Sequence, residues 1–348
     1  MKFLIAGASG VTGYGATQVL EHAHLDVITL SRSSSGPSKG IHLQADLLDR
    51  ESLMAHQDTL KTVTHVFYAA LKPNDDALTE AQENGQMMEN LVETLLHVGA
   101  PLERVIFLQG GKVYGAHLGV YKTPAREDDS RHFPPNLYFT QEDYARTLPQ
   151  RGVQWTALRP DIVIGHSLGS AMNLGNLIGV YGSLCQQMGL AMQFPGPAQA
   201  YEVLVNICDA EVLGQAVLWS ALEQKDGAYN VTNGDQFRWK HVWPALANWF
   251  GLEVGEPQPI SLAQRLDRAS SEMWQQLATD MGLAEKDITQ LALGGFGDFI
   301  FHVQTDAVFD VTKARQAGFQ HMTKRSDDTL IDHLNNMVKR ELIPTQQP

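Results

Sequence analysis

Lys112 and Tyr138 are the residues of this 348-residue chain best placed by type and setting to do chemistry. A phenol can donate a hydrogen bond to an oxygen that is gaining negative charge, or give up its proton to it. A nearby ammonium can hold hydroxyl groups and lower the phenol's pKa. Lys112 sits in Gly110-Gly111-Lys112-Val113-Tyr114-Gly115, and Tyr138 in Asn136-Leu137-Tyr138-Phe139-Thr140-Gln141-Glu142-Asp143. One helical turn beyond Tyr138 stands Glu142, read here as a surface carboxylate, so any cation for the phenol must come from another element. Tyr138 is expected to open a helix running to about Gln150. Lys112 is expected just after a strand at 104–108. A solvated lysine is the plainer reading of Lys112, and its glycine-rich surroundings speak against it.

Those two residues need a partner that carries electrons, and the N-terminus supplies a place for one. Gly7-Ala8-Ser9-Gly10-Val11-Thr12-Gly13 follows an apolar strand and opens a helix. Gly7 permits a tight turn, Gly10 lets the backbone approach a pyrophosphate, and Gly13 lets helix pack on strand. Ser9, Val11 and Thr12 complete the loop whose free amides and helix dipole favour anions. The end of the second strand reads Ser31-Arg32-Ser33, with no carboxylate to hold a ribose 2′-hydroxyl. Arg32 can instead pair with a 2′-phosphate, which predicts NADPH/NADP+ as cofactor. Asp46 and Leu47 fall where adenine is commonly held, although Asp46 serves equally as a helix cap. Ala69, Ala70, Gln109, Pro160, Ile162 and Val163, at the ends of later strands, are the remaining cofactor contacts expected.

The elements that must position these groups alternate. Strands are predicted at 2–7, 25–30, 41–43, 64–69, 104–108 and 154–158, with helical patterns between. Alternation of this kind gives an α/β, Rossmann-type doubly wound parallel sheet. Continuous apolar runs such as Val105-Ile106-Phe107-Leu108 suit a sheet covered on both faces. After Arg159-Pro160 the texture changes to Gly and Met, then to Trp and Phe, which predicts a smaller, mostly helical C-terminal substrate lobe. The expected division is 1–164 for the NADP-binding domain, with 201–232 returning to it, and 165–200 plus 233–348 for the lobe. Trp243, Trp249 and Phe250 fit one helix face and are read as core. Gly295-Phe296-Gly297-Asp298-Phe299 is read as a pocket loop.

Composition excludes several classes. The net charge of −13 leaves no basic surface for nucleic acid or anionic lipid. No window offers about twenty uninterrupted apolar residues, and the N-terminus runs into glycines too early for a signal peptide. A cytoplasmic protein is expected. Cys185 and Cys208 are expected as buried thiols, and no metal-binding pattern is present.

Several segments carry a resemblance. Gln109 and Gly110 stand where extended short-chain dehydrogenases carry serines before Val-Tyr-Gly, and their usual Tyr-x-x-x-Lys is broken by Glu142. Arg159-Pro160-Asp161-Ile162-Val163-Ile164-Gly165 resembles the segment that passes the nicotinamide in those enzymes. Asn136-Leu137-Tyr138-Phe139-x-x-Glu142-Asp143, Leu108-Gln109-Gly110-Gly111-Lys112 and Asn230-Val231-Thr232-Asn233-Gly234-Asp235-Gln236-Phe237-Arg238-Trp239-Lys240 together resemble the progesterone 5β-reductase/iridoid synthase-like 1,4-enone reductases. The chain departs from that group at Phe139, where a second tyrosine is usual, and at Gly111 and Val113. The resemblance implies NADPH-dependent reduction of the carbon–carbon double bond of an α,β-unsaturated carbonyl. Hydride goes to the β-carbon, and Tyr138 with Lys112 holds the enolate oxygen. The expected partner is a small-molecule enone, with a homodimer as the assembly to test. The alternatives are a carbonyl reductase or epimerase/dehydratase on the same scaffold, or a non-catalytic NADP-sensing protein.

Overall fold

The continuously apolar segments become strands. β1 (Lys2–Ala6), β2 (Asp26–Ser31), β3 (Ile41–Gln44), β4 (His65–Tyr68), β5 (Arg104–Leu108) and β6 (Gln154–Pro160) join the edge strand Gly227–Val231 in one seven-stranded sheet. The order is Gly227–Val231, β6, β5, β4, β1, β2, β3, and every pairing is parallel. From β1 the chain first builds outward to β2 and β3, then crosses back to β4. The strand order therefore reverses between β1 and β4, where open α/β sheets bind ligands beyond the strands' carboxyl ends. The computed structural model describes residues 1–167 and 170–345.

The chain divides into two compact units. The first comprises Met1–Asp161, Ala210–Thr232 and Phe309–His321, and the second Ile162–Asp209, Asn233–Val308 and Met322–Pro348. These limits differ from the expected ones at three places, each with a local cause. Ile162–Ile164 leaves the large sheet and pairs in parallel with Ile207–Asp209, which takes both segments into the second unit. Residues 201–209, expected with the sheet, go with them. Residues 309–321 return to the first unit because the edge strand holds them. Asn230 Nδ2 donates to the Asp310 carbonyl at 2.9 Å, and Lys313 Nζ to the Ala228 carbonyl at 2.7 Å.

The first unit's core is mainly aliphatic, with Leu4, Val66 and Leu91 fully buried around Phe107. In the second, Phe194, Trp239, Trp243 and Phe301 form an aromatic core with ring centroids 5.2–6.1 Å apart. Trp243 is core as expected, Phe250 is buried, and Trp249 is partly buried. Cys185 and Cys208 are buried thiols.

The segment read as a pocket loop is a helix, Gly294–Phe301. Its glycines serve packing rather than turning. A Cβ on Gly294 would lie 2.3 Å from the Leu262 carbonyl oxygen, and one on Gly297 would lie 2.3 Å from Leu177 Cδ2. Asp298 spends its carboxylate on the neighbouring helix start, accepting from Ser261 Oγ at 2.8 Å and the Leu262 amide at 2.6 Å. Among the described residues, no helix is long and apolar enough to cross a membrane.

Candidate active site

At the carboxyl end of β1 the chain turns through Gly7, whose φ of +82° is costly for any residue with a Cβ. Such a Cβ would also lie 2.7 Å from the backbone of Ala69 and Ala70, at the end of β4. A Cβ on Gly13 would lie 2.3 Å from the Gly7 carbonyl oxygen. The helix Val11–His22 starts at Gly10, which offers no side-chain cap. Its first amides are thus left for an outside acceptor, and the dipole favours an anion there. Ser9 is partly exposed on this turn. A dinucleotide pyrophosphate fits such a cradle.

At the end of β2, Ser31 Oγ accepts from the Ser33 amide at 3.2 Å, and His42 Nε2 lies 3.3 Å from the same oxygen. The Arg32 carbonyl accepts from Gln44 Nε2 at 3.0 Å, and its side chain is exposed. Asp46 does not cap a helix, since Asp49 caps Arg50–Met54; its Oδ1 closes a turn by accepting from the Leu48 amide at 2.9 Å, and its neighbour Leu47 is buried. Pro160 closes β6, whereas Ile162 and Val163 belong to the short strand of the second unit.

The turn beyond the end of β5 brings Lys112 and Tyr138 into one neighbourhood. After Gly110 the chain makes a single 3-10 turn, Gly111–Tyr114, which holds Lys112. Tyr138 lies in the first turn of the helix Leu137–Ala145. Asn136 ties the two together. Its Oδ1 accepts from the Tyr138 amide at 2.9 Å, and its Nδ2 donates to the Lys112 carbonyl at 3.0 Å. That carbonyl also meets His132 Nε2 at 3.0 Å. A Cβ on Gly110 would lie 3.2 Å from the Tyr138 hydroxyl, so glycine is what lets the phenol come close to this backbone. Burial pushes the Tyr138 hydroxyl up to about 12, with the Gly110 amide pulling down and the Glu80 charge pushing up. Tyr138 is therefore a protonated donor over the whole physiological range.

Glu80 is a site residue that sequence reasoning missed. It lies in the first turn of the helix Ala77–His97, is 9% exposed, and places both carboxylate oxygens 3.4 Å from Lys112 Nζ.

Glu142 is not the surface carboxylate expected. It is buried, and Arg159 beside it is buried too. Its Oε2 accepts from Gln109 Nε2 at 2.9 Å and Arg159 Nη2 at 3.2 Å, and its Oε1 accepts from Arg146 Nη2 at 2.5 Å. Burial raises its pKa, but the Gln109 and Arg146 hydrogen bonds and the Arg159 and Arg146 charges outweigh it, so the net shift is downward. Gln109 spends its side chain within the same network. Besides Glu142, its Nε2 donates to the Tyr138 carbonyl at 3.1 Å and its Oε1 accepts from Arg159 Nε at 2.7 Å. Glu142 thus anchors the helix that carries Tyr138.

The long motif from Asn230 to Lys240 turns out to be architectural. Asn230 Oδ1 accepts from the Tyr114 hydroxyl at 2.5 Å, and its Nδ2 donates to the carbonyls of Ala125 and Asp310, each at 2.9 Å. Asp235 accepts from the amide and hydroxyl of Ser326, and Trp239 is buried. Among the described residues, no group of three or more His, Cys, Asp or Glu is arranged to hold a metal.

Comparison with known proteins gives three kinds of likeness. Residues 39–344 match the family model described as the PRISE-like Rossmann-fold domain. The chain is 26% identical to a 3-oxo-Delta(4,5)-steroid 5-beta-reductase of Arabidopsis thaliana, over 98% of this chain and 92% of the other. It is 27% identical to an (S)-8-oxocitronellyl enol synthase of Nepeta cataria, again over 98% and 92%. A short chain dehydrogenase of Penicillium aethiopicum is 30% identical over 81% and 80%. Among solved structures, the Thermus thermophilus UDP-glucose 4-epimerase in complex with NAD matches at a TM-score of 0.66. Identity there is 18%, over 96% of this chain and 99% of that one. That last likeness carries the fold alone.

Proposed function

Since the chain belongs to the PRISE-like Rossmann-fold family, we propose that it is an oxidoreductase that reduces the carbon–carbon double bond of α,β-unsaturated carbonyls, using NADPH. The single observation that carries this reading is the Tyr138 hydroxyl. It is held in its protonated form beside the Gly110 amide, with the ammonium of Lys112 on the adjoining turn rather than on its own helix. The names of the two plant relatives, a steroid 5-beta-reductase and an oxocitronellyl enol synthase, support it.

The cofactor fits the residues present. The Gly7–Gly13 turn and the first amides of Val11–His22 would hold the pyrophosphate, and Arg32 would meet a 2′-phosphate that no carboxylate at the end of β2 repels. When bound, the nicotinamide supplies a hydride to the β-carbon of the substrate. The protein's own part is electrostatic. As negative charge collects on the substrate's carbonyl oxygen, the Tyr138 hydroxyl donates to it, and a donor already aimed there needs no reorganisation. Lys112 adds positive charge on the same side and can reach ribose hydroxyls. A Tyr138 that stays protonated suits an enolate, which must be held as an anion, and the α-carbon can then be protonated from water.

The test is NADPH consumption with a simple cyclic enone, read at the NADPH absorbance, for native protein and Tyr138→Phe. Removing one oxyanion donor should cost roughly 10²-fold or more in turnover. NADPH binding by calorimetry should stay nearly intact. Equal turnover by the two proteins would make Tyr138 a packing residue and end this reading.

A further inference from the structure

We propose that Glu80 is the positioning residue of this site, anchoring the Lys112 ammonium and adding its charge to the surroundings of the Tyr138 hydroxyl. A lysine four positions after a tyrosine is held by their common helix. Lys112 has no such support, because it projects from a short 3-10 turn on a flexible four-carbon stem whose side chain is 42% exposed. An unanchored ammonium of that kind samples many rotamers. Glu80 removes that freedom. Both its oxygens lie 3.4 Å from Lys112 Nζ, and its own side chain is only 11% exposed.

Glu80 is itself fixed from behind. It lies one turn into the helix that Asp76 caps, where Asp76 Oδ2 accepts from the Thr79 amide at 2.8 Å. Its carbonyl accepts from Asn84 Nδ2 at 2.8 Å, and Asn84 Oδ1 accepts from the Lys72 amide at 2.9 Å. A carboxylate on a braced helix is a firm anchor for a mobile ammonium.

The same charge acts on Tyr138. Burial accounts for most of the upward shift of the Tyr138 hydroxyl, and the Glu80 charge adds to it, because forming a phenolate near a carboxylate costs Coulomb energy. The other titratable groups around this point do not replace it. His117 is held below the usual imidazole range by burial, and by the charges of His132 and Lys112, against the pull of Glu80. His132 is spent on the Lys112 carbonyl. Glu142, one turn along the Tyr138 helix, is engaged by Gln109, Arg146 and Arg159. Glu80 is thus the carboxylate that serves both Lys112 and Tyr138.

The inference rests on the enone-reductase reading only in its kinetic arm. A tyrosine carrying enough fluorine to bring its ionisation down toward neutral pH, placed at 138, is titrated with circular dichroism checking the fold at each pH, and its fluorine NMR signal reports ionisation at that one position without substrate. In the full-length chain, Glu80→Gln should move this midpoint to lower pH by about half a unit or more, and Glu80→Asp, which keeps the charge, should hold it near the native value. A circular dichroism spectrum and melting temperature like those of the native protein establish that the variant folds. In the kinetic arm, Glu80→Gln should lower kcat for a cyclic enone by about tenfold to a hundredfold, as expected for a misplaced catalytic group, with KM for the enone little changed. In a Lys112→Met background the same substitution should add no more than about a twofold loss, because the ammonium it anchors is gone and burial alone keeps Tyr138 a protonated phenol at the assay pH. An unmoved fluorine midpoint in folded Glu80→Gln overturns the proposal. So does an equal loss of kcat with and without Lys112. Absence of enone turnover in the native protein would sink the functional reading instead and leave the titration to decide on Glu80.

Discussion

At the scale of single residues, Asn136 shows how little material joins the Lys112 turn to the Tyr138 helix. One side-chain amide accepts from the Tyr138 amide and donates to the Lys112 carbonyl. Asn136→Asp keeps the acceptor that caps the helix, since aspartate caps as well as asparagine. It loses the donor to Lys112 and sets a carboxylate against that carbonyl. The melting temperature should therefore change little while kcat falls about tenfold or more, a split that kinetics and thermal denaturation together would show. Unchanged kcat would mean the Lys112 turn holds itself. Cofactor choice is also a residue-scale matter. Ser31→Asp adds a charge where a 2′-phosphate is expected, so NADPH should bind more weakly and NADH relatively better, as read by calorimetry with each. Native protein that takes NADH as readily as NADPH would contradict the role given to Arg32. Lys112 and Tyr138 stood out as candidates in the sequence because their neighbours are distinctive glycine and Asn/Glu patterns. Glu80 could not, because its contact with Lys112 spans 32 residues and nothing local marks it. Glu142 was misjudged for a related reason. A carboxylate on a helix is ordinarily exposed, and the tertiary arrival of Gln109 and Arg159, together with Arg146 at the end of its own helix, makes burial tolerable.

At the scale of elements, the strands and the glycine turn were legible because both obey local rules: apolar runs for buried parallel strands, and a backbone conformation at Gly7 that penalises a Cβ. The helix Gly294–Phe301 was not legible, because glycines chosen for close packing look like glycines chosen for a turn. Gly294→Ala tests this directly. The new Cβ would meet the Leu262 carbonyl oxygen at 2.3 Å and its carbon at 2.4 Å, neither of which can rotate away. A loss of about 1–3 kcal/mol is expected in denaturant unfolding followed by tryptophan fluorescence. Gly295→Ala, which meets nothing within 4 Å, should be close to neutral or slightly stabilising. Equal effects would show that packing is not what selects glycine at 294. The Tyr138 helix has its own signature in pH. Glu142 titrates below its usual value in the folded state, so its ion pairs stabilise the fold above the unfolded carboxylate pKa of about 4.3, and that contribution is lost as pH falls through the lower folded value. Glu142→Gln should therefore lower the melting temperature by several degrees at pH 7, leaving Arg159 buried without its anion. The gap between the two proteins should close as the pH drops below about 4. A gap that is constant down to acid pH would show that packing, not charge, sets the effect.

At the scale of the whole molecule, the chain builds two separate cores, a mainly aliphatic one beneath the parallel sheet and an aromatic one in the second unit. The change of texture after Arg159-Pro160 was visible in composition, but which stretches rejoin the sheet was not. That depends on pairings such as Ile162–Ile164 with Ile207–Asp209, which no local pattern encodes. The sheet, the glycine cradle and the Tyr138–Lys112 pair together amount to a claim about where a hydride goes. NADPH carrying deuterium at the transferable position, incubated with the full-length protein and a simple cyclic enone, tests that claim most directly. Product analysis by NMR should find deuterium on the β-carbon of a saturated ketone, with the carbonyl intact. Deuterium on the carbonyl carbon of an allylic alcohol, or no transfer at all, would contradict it.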